Sequence, residues 1–463
     1  MRRRSAWRSA AACVVSCSGG APFRRAAMVQ ALEPRVHLAF SVDGTVGNDQ
    51  ISINVVGPLV TVTVNGVPTS ELDALVSEIV VNGLGGDDTI RVGLNTDNAI
   101  SVFGDEGDDT ILVSDNSGWL SSLGSPTLNI WITGGAGADL VELNDSARNE
   151  AATHSVQPLG PDSAKVTATD ITTAPLAPAI NVSEIEALHL RGGGGDDVLR
   201  VEADIPGVDL SLDGGEGDDS FEIAGDGGPS ARPVRIDDGG GLDDVSIYSG
   251  GVNAVLAGDQ RLDFIRVDTG SLLQLASGAP GDRPVTTRAL LLFGSGTLDV
   301  ARQSVLIDYT GTSPLASIRQ RLTSGYNFGA WNGTGITSSA AAATPSGSVG
   351  YADATELFTT FPAVFAGVPI DGTTLIIRHT ISGDADLDRT VSLGDFSRLA
   401  SNYNQLSTWA GGDFNFDNAT GIADFSLLAG NYNLTLPVVR SGSALQGLWL
   451  RLAGLAQSEA GGE

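Results

Sequence analysis

The chain has 463 residues, 60 of them glycine, a single lysine (Lys165) and 6% aromatics, a composition that excludes a mainly helical architecture and describes a turn-rich β one with room for two or three domains. Its formal charge is −29, and without residues 1–27, which carry six arginines and no acids, 55 acids face 20 bases for a balance of −35. So acidic a chain excludes nucleic acid as a partner and repels itself unless cations neutralise it; its two cysteines, Cys13 and Cys17, lie near the N-terminus, so no disulfide framework staples the body.

Residues 1–38 read as a leader and sorting segment. Arg2, Arg3 and Arg4 give a basic start and residues 10–15 a short apolar stretch, although Arg8 interrupts and the run is short for a secretory signal. Val14-Val15-Ser16-Cys17 resembles a bacterial lipobox, which would lipidate Cys17. Leu32-Glu33-Pro34-Arg35-Val36-His37-Leu38 resembles the L-E-P-R-x-L-L tag of exported planctomycete proteins, departing from it at His37. That resemblance implies an extracellular or cell-surface location. No apolar run reaches the length of a membrane span, so no integral membrane segment is expected.

Residues 39–255 carry a glycine- and aspartate-rich repeat. Gly134-Gly135-Ala136-Gly137-Ala138-Asp139-Leu140-Val141 is one full copy, with two more at Asp197 and Asp219; those at Asp49, Asp88 and Asp109 each have one substituted glycine, and one at Asp243 is looser. The template is G-G-x-G-x-D-x-U-x, and the copies resemble the calcium nonapeptides of RTX-type β-rolls. Here the aspartates at 49, 88, 109, 139, 197, 219 and 243 are separated by 39, 21, 30, 58, 22 and 24 residues rather than set back to back. The repeat unit is therefore a whole coil. Strand patterns such as residues 59–64 and 128–132 lie between the turns, which predicts a right-handed parallel β-helix or related β-solenoid. Stacking would bring Asp88 near Asp109 and Asp197 near Asp219, where like charges repel by roughly 1–4 kcal/mol. Either Ca2+ bridges Asp88, Asp109, Asp139, Asp197 and Asp219, or these carboxylates only bond the amides of their own glycine turns.

Residues 256–380 read as a mixed β region with strands at 289–293, 304–309 and 374–379. Ser313-Pro314 predicts a short helix with Leu315, Ile318 and Leu322 on one face. Residues 338–350, rich in alanine with Thr344-Pro345-Ser346-Gly347, predict a flexible loop. Residues 307–351, with Trp331-Asn332-Gly333-Thr334-Gly335-Ile336, resemble a block that links β-helical regions to dockerin-like ends in planctomycete surface proteins.

Residues 381–435 write one pattern twice, 29 residues apart: Gly383-Asp384-Ala385-Asp386-Leu387-Asp388 leading to Asp395, then Gly412-Asp413-Phe414-Asn415-Phe416-Asp417 leading to Asp424. A twelve-residue calcium loop takes side-chain oxygens at positions 1, 3 and 5, a carbonyl at 7, often a water-mediated contact at 9 and a carboxylate at 12. The first copy supplies Asp384, Asp386, Asp388, the Thr390 carbonyl, Ser392 and Asp395; the second supplies Asp413, Asn415, Asp417, the Ala419 carbonyl and Asp424. Position 6 prefers a left-handed residue, which Asn418 tolerates while Arg389 costs about 1–2 kcal/mol, so the first loop is expected to bind the metal more weakly. The alternative is a pair of acidic Asx-turns that cap helices without metal. The duplicated loop-helix unit resembles a type I dockerin. The resemblance implies a small α-helical, EF-hand-like module, these residues as Ca2+ ligands and a cohesin-like partner. The residues that would read such a partner are the apolar pairs Leu393-Gly394 and Ile422-Ala423.

Residues 436–463 form a tail whose Leu445, Leu448, Trp449, Leu452 and Leu455 recur at near-helical spacing, expected to pack back on the body. His37, His154, His189 and His379 make no metal-ligand spacing, and no G-x-S-x-G elbow or P-loop is present, so no catalytic residue is assigned. The expected function is an exported calcium-binding structural or adhesion protein of the cell surface, attached through its C-terminal module to a cohesin-like protein or a cell-surface polysaccharide. The alternative is a secreted polysaccharide-degrading β-helix enzyme, a lyase or glycoside hydrolase, recruited by that module.

Overall fold

A computed structural model of the chain describes residues 38–436, apart from 94–97, 115–119, 121–128, 171–174, 228–231, 249, 258–260 and 277–283. The leader, with Cys13, Cys17 and almost all of the L-E-P-R tag, and the apolar tail positions from Leu445 to Leu455 lie outside the described residues. The protein is mainly β and rests on two large sheets of 15 and 13 strands. From Val76 the chain visits them in alternation: Val76–Asn82 in the first, Thr89–Gly93 in the second, Ala99–Glu106 in the first, Thr110–Val113 in the second. Neighbours within each sheet are mostly parallel, with Thr89 opposite Thr110, Thr110 opposite Leu140, Leu140 opposite Ala187 and Ala187 opposite Asp209. Parallel neighbours need a long crossover, and here the glycine turns and the strand of the other sheet provide it.

The stacked parallel strands send side chains inward in pairs: Ile90 and Val92, Ile111 and Val113, Val141 and Leu143, Leu188 and Leu190 from one sheet; Ile100 and Val102, Leu199 and Val201, Phe221 and Ile223, Val245 and Ile247 from the other, all buried. The period-two alternation in the sequence is the record of this single buried face. The parallel stack does not end at residue 255. It continues through Arg261–Val267, Val285–Leu292 and Ser304–Asp308 in one sheet and Leu272–Leu275, Thr297–Asp299 and Gly335–Thr337 in the other. The composition shift near 255 marks a change of turn chemistry, not of the sheets.

Within the two large sheets, antiparallel pairing among the described residues appears at three places. Gln50–Val56, Leu59–Val64 and Val67–Leu72 form a meander whose outermost strand is wholly exposed and carries Pro68, a residue that blunts an open edge. The hairpin of Ala152–Gly160 and Ser163–Asp170 is inserted mid-sheet. Thr374–Ile381, buried along its whole length, runs antiparallel between Ser304–Asp308 and Gly347–Asp353 and leads directly into the first C-terminal loop.

Among the described residues five α-helices follow in chain order: α1 (Leu315–Tyr326), α2 (Ser339–Ala342), α3 (Ala354–Leu357), α4 (Leu393–Ser401) and α5 (Ile422–Gly430). In α1, Ser313 Oγ accepts the Leu315 amide at 3.2 Å, and Ile318 and Leu322 are buried, as the sequence predicts. The flexible loop expected over 338–350 is corrected. Ser338 caps α2, accepting the Ala341 amide at 3.0 Å, residues 343–346 form a turn, and a buried strand begins at Gly347. The small residues that read as loop are there because of close packing: a Cβ on Gly350 would lie 2.7 Å from Trp409 Cε2.

Candidate functional site

The two C-terminal loops adopt one geometry. In the first, Asp384 Oδ1 accepts the Asp388 amide (3.1 Å) and Oδ2 the Arg389 amide (2.8 Å); Asp386 accepts Asp388 (3.3 Å) and Asp388 accepts Thr390 (2.7 Å). Asp395 Oδ1 accepts Ala385 and Asp386 (2.7 and 3.2 Å), and its Oδ2 accepts Ser392 (2.7 Å), which also caps α4. The second loop repeats each bond: Asp413 with Asp417 and Asn418, Asn415 with Asp417, Asp417 with Ala419, and Asp424 with Phe414, Asn415 and Gly421. Positions 4 and 6 are left-handed in both, at φ 60 and 72° for Leu387 and Arg389 and φ 61 and 79° for Phe416 and Asn418. Among the described residues, only Asp384, Asp386 and Asp388 bring three acidic ligand atoms within 4.8 Å of one another. Asn415 breaks the corresponding triad in the second loop.

The Asp384, Asp386 and Asp388 triad of the first loop could hold a hard divalent cation, its donors all being oxygen, and the position-1 and position-12 carboxylates of both loops are buried. Burial pushes Asp384 up to about 7, with Asp395 and Asp386 adding repulsion, and Asp413 up to about 6. A cation would relieve both.

The module is built onto the sheets. Trp409 Nε1 donates to the Asp384 carbonyl at 2.7 Å, Asn431 to the Ser382 carbonyl at 2.8 Å and Arg378 to the Leu387 carbonyl at 2.9 Å. Phe416 packs among Tyr326, Trp331, Trp409 and Tyr351 with ring centroids 5.0–6.0 Å apart. The repeated residues Leu393 and Ile422 are 66% and 67% exposed, and Phe396 meets Phe425 edge-on at 6.3 Å.

The aspartates of the glycine-rich repeats form something the sequence did not announce. Asp49, Asp88, Asp109, Asp139, Asp197, Asp219 and Asp243 are each 1% exposed. The carboxylates of Asp88, Asp109 and Asp139 accept the backbone amides of Asp49, Asp88 and Asp109 at 2.7–2.8 Å, so each bonds the coil before it. Glu186 takes the next place, accepting the Asp139 amide at 2.8 Å. Beyond the hairpin the column resumes, Asp197 accepting Ala152, Asp219 accepting Asp197 and Asp243 accepting Asp219. A second, exposed row runs the other way: Asp87 accepts the amide of Asp108, Asp108 that of Ala138, Asp196 that of Asp218 and Asp218 that of Leu242, at 2.8–3.1 Å. The doublets 87–88, 108–109, 196–197 and 218–219 thus each stitch their coil to both neighbours. Bonds within the same turn are made by Asp49 with Thr45 and by Asp197 with Gly193. The glycine that opens each repeat makes room for this. A Cβ on Gly83 or Gly104 would overlap the Asp88 or Asp109 carboxylate and lie 2.5 or 2.6 Å from the carbonyl oxygen of the next coil.

The outer oxygens of Asp88, Asp109, Asp139, Asp219 and Asp243 are buried without a hydrogen bond among the described residues. Burial pushes Asp219 up to about 8 and Asp109 and Asp243 up to about 6. A carboxyl raised above its unfolded value of 3.8 contributes stability that is complete at low pH and lost as pH rises through the folded value. In chelator, therefore, the melting temperature is expected to fall by several degrees between pH 5 and pH 8. Asp219→Asn, which keeps the amide acceptor and removes the charge, is expected to flatten that fall; a metal clamp at Asp219 would instead make the variant less stable in calcium than the parent.

His154 is fully buried 3.6 Å from Asp145, and burial holds it down to about 4; His379 is held down to about 4 in the same way. Residues the sequence reading passed over are Asn48, Asp87, Asp108, Asp196 and Asp218 of the exposed row, Glu186, Trp409, and Arg319, whose Nη2 donates to Asp413 Oδ2 at 2.5 Å. The doublets at 87–88, 108–109, 196–197 and 218–219 were a visible signal; Glu186, Trp409 and Arg319 carry none, since their partners are distant in the chain. Protein-family models give no match to the chain, and a search of curated proteins finds none either. No helix among the described residues is long and apolar enough to cross a membrane.

Proposed function

We propose that the chain is an exported calcium-binding structural or adhesion protein of the cell surface or extracellular space. In this reading the alternating sheets form a right-handed parallel β-helix or related solenoid, and residues 381–435 form a dockerin-like module that attaches or caps it. The observation that carries the reading is the oxygen array written twice, with the same bonds and the same left-handed positions in both copies. Bound Ca2+ would supply positive charge to Asp384, Asp386, Asp388 and Asp395 with the Thr390 carbonyl, and to the matching set from Asp413 to Asp424 with the Ala419 carbonyl. The exposed apolar group of Leu393, Phe396, Ile422 and Phe425 is the surface this reading offers a cohesin-like protein. The column aspartates are read as amide stitches rather than ligands.

At about millimolar calcium and a dissociation constant of about 0.1–1 mM, each occupied site adds roughly 0.4–1.4 kcal/mol. The full chain is expected to melt higher in calcium than in chelator, with magnesium giving a smaller rise. Equal melting temperatures in calcium and chelator would refute the proposal.

A further inference from the structure

We infer that the second loop carries a built-in cation, the guanidinium of Arg319, and that the module therefore takes its calcium in the first loop. The inference rests on the reading of the loops as calcium sites and concerns how the two share the metal.

Arg319 lies on α1, 94 residues before Asp413 in the chain, and its Nη2 meets Asp413 Oδ2 at 2.5 Å. Asp413 is 0% exposed and the Arg319 side chain 20% exposed, so the pair is only partly screened by water. The same oxygen also accepts the Asn418 amide at 3.2 Å. At the matching oxygen of the first loop, Asp384 Oδ2, the side-chain donor is the neutral hydroxyl of Thr380, beside the Arg389 amide. The two copies therefore share a backbone and differ in charge. The first gathers the carboxylates of Asp384, Asp386, Asp388 and Asp395, and the neighbouring Arg378 and Arg389 donate to the carbonyls of Leu387 and Arg302. The second gathers Asp413, Asp417 and Asp424, has the neutral Asn415 at position 3, and holds a positive side chain on its position-1 ligand.

Arg319 is not a passing surface contact. Ile318 and Leu322 bury α1, and Tyr326 at its end packs on Phe416 of the loop at 5.0 Å. Helix and loop are one packed unit, and the arginine is delivered with little freedom left to lose. A divalent ion entering the second loop has to displace the guanidinium or accept its repulsion. The order of affinity expected from position 6, where Arg389 is the strained residue, is thereby reversed.

The test is calorimetric titration of the full chain with calcium, comparing matched variants so that any binding elsewhere cancels. Asp384→Asn is expected to remove the module's calcium from the parent protein. Arg319→Gln and Arg319→Met, the latter keeping the apolar stem, are expected to add one site per chain, about tenfold or more tighter than any second-loop binding in the parent. Adding Asp413→Asn to Arg319→Gln is expected to abolish that site again. The inference is overturned if the arginine variants leave stoichiometry and affinity unchanged, or if Asp384→Asn retains a site that a further Asp413→Asn removes. The second comparison needs no arginine variant, so it decides the matter even if those variants misfold. Absence of calcium heat from the parent and every variant would instead sink the calcium reading itself.

Discussion

Gly104→Ala is expected to cost about 3–5 kcal/mol, although it adds a single methyl group. Forcing atoms into a filled interior costs about 1–3 kcal/mol, and here the obstacle cannot step aside. The new Cβ would overlap the Asp109 carboxylate and sit 2.6 Å from the Gly134 carbonyl oxygen, which belongs to the backbone of the next coil. If Asp109 moves instead, the Asp88 amide loses the acceptor it holds at 2.8 Å, and a buried amide left unpaired costs about 1–3 kcal/mol more. Gly47→Ala is the control. A Cβ there meets nothing within 4 Å, and the change is expected to stay within about 0.5 kcal/mol. Denaturant midpoints in chelator measure both. Equal stabilities for the two variants would show that the opening glycine does not shelter the carboxylate.

Asp395→Ala is the second large effect. This buried carboxylate ties the start of the first loop to its end, accepting the amides of Ala385, Asp386 and Ser392 at 2.7, 3.2 and 2.7 Å. Truncation leaves three donors without their partner and removes one half of the α4 capping box. At about 1–3 kcal/mol for each amide that stays buried, and with water reaching the rest, the expected loss is about 3–5 kcal/mol. Calcium heat assigned to the first loop should vanish with it. Asp388→Ala, by contrast, removes an exposed side chain that accepts the Thr390 amide, and is expected to cost about 1 kcal/mol or less while still weakening the metal. Thermal melts with and without calcium separate the two contributions. A folded Asp395→Ala protein of unchanged melting temperature would mean that the carboxylate does not close the loop.

The parts of this molecule legible in its sequence are those whose cause is local. Alternating residues such as those of Leu59–Val64 state a half-buried strand, and Ser313-Pro314 states the start of α1. The loop oxygens from Asp384 to Asp395 lie within one turn of chain, so their convergence could be counted directly. The column could not be read in this way. The partner of each carboxylate is an amide on another coil, 21 residues away for Asp109 but 45 for Asp197, and no fixed spacing reports it. Glu186 replaces an aspartate without resembling one, because only its carboxylate has to reach the Asp139 amide. Residues 338–350 misled by composition: alanine, serine and glycine mean a loop when solvated and a tight contact when Trp409 lies against them. Arg319 acts across packing between elements, which no local pattern encodes.

The opposed stitching of the doublets has a mechanical consequence. Asp88 holds the coil before it and Asp87 the coil after it, so tension applied from either terminus loads a carboxylate–amide bond at every such turn, and neither pulling direction peels the stack from an undefended side. After Glu186 takes the Asp139 amide, an inserted hairpin stands before Asp197, so the carboxylate–amide array is divided there while the second sheet carries the load on through Leu140–Asn144, Ala187–Arg191 and Asp209–Asp213.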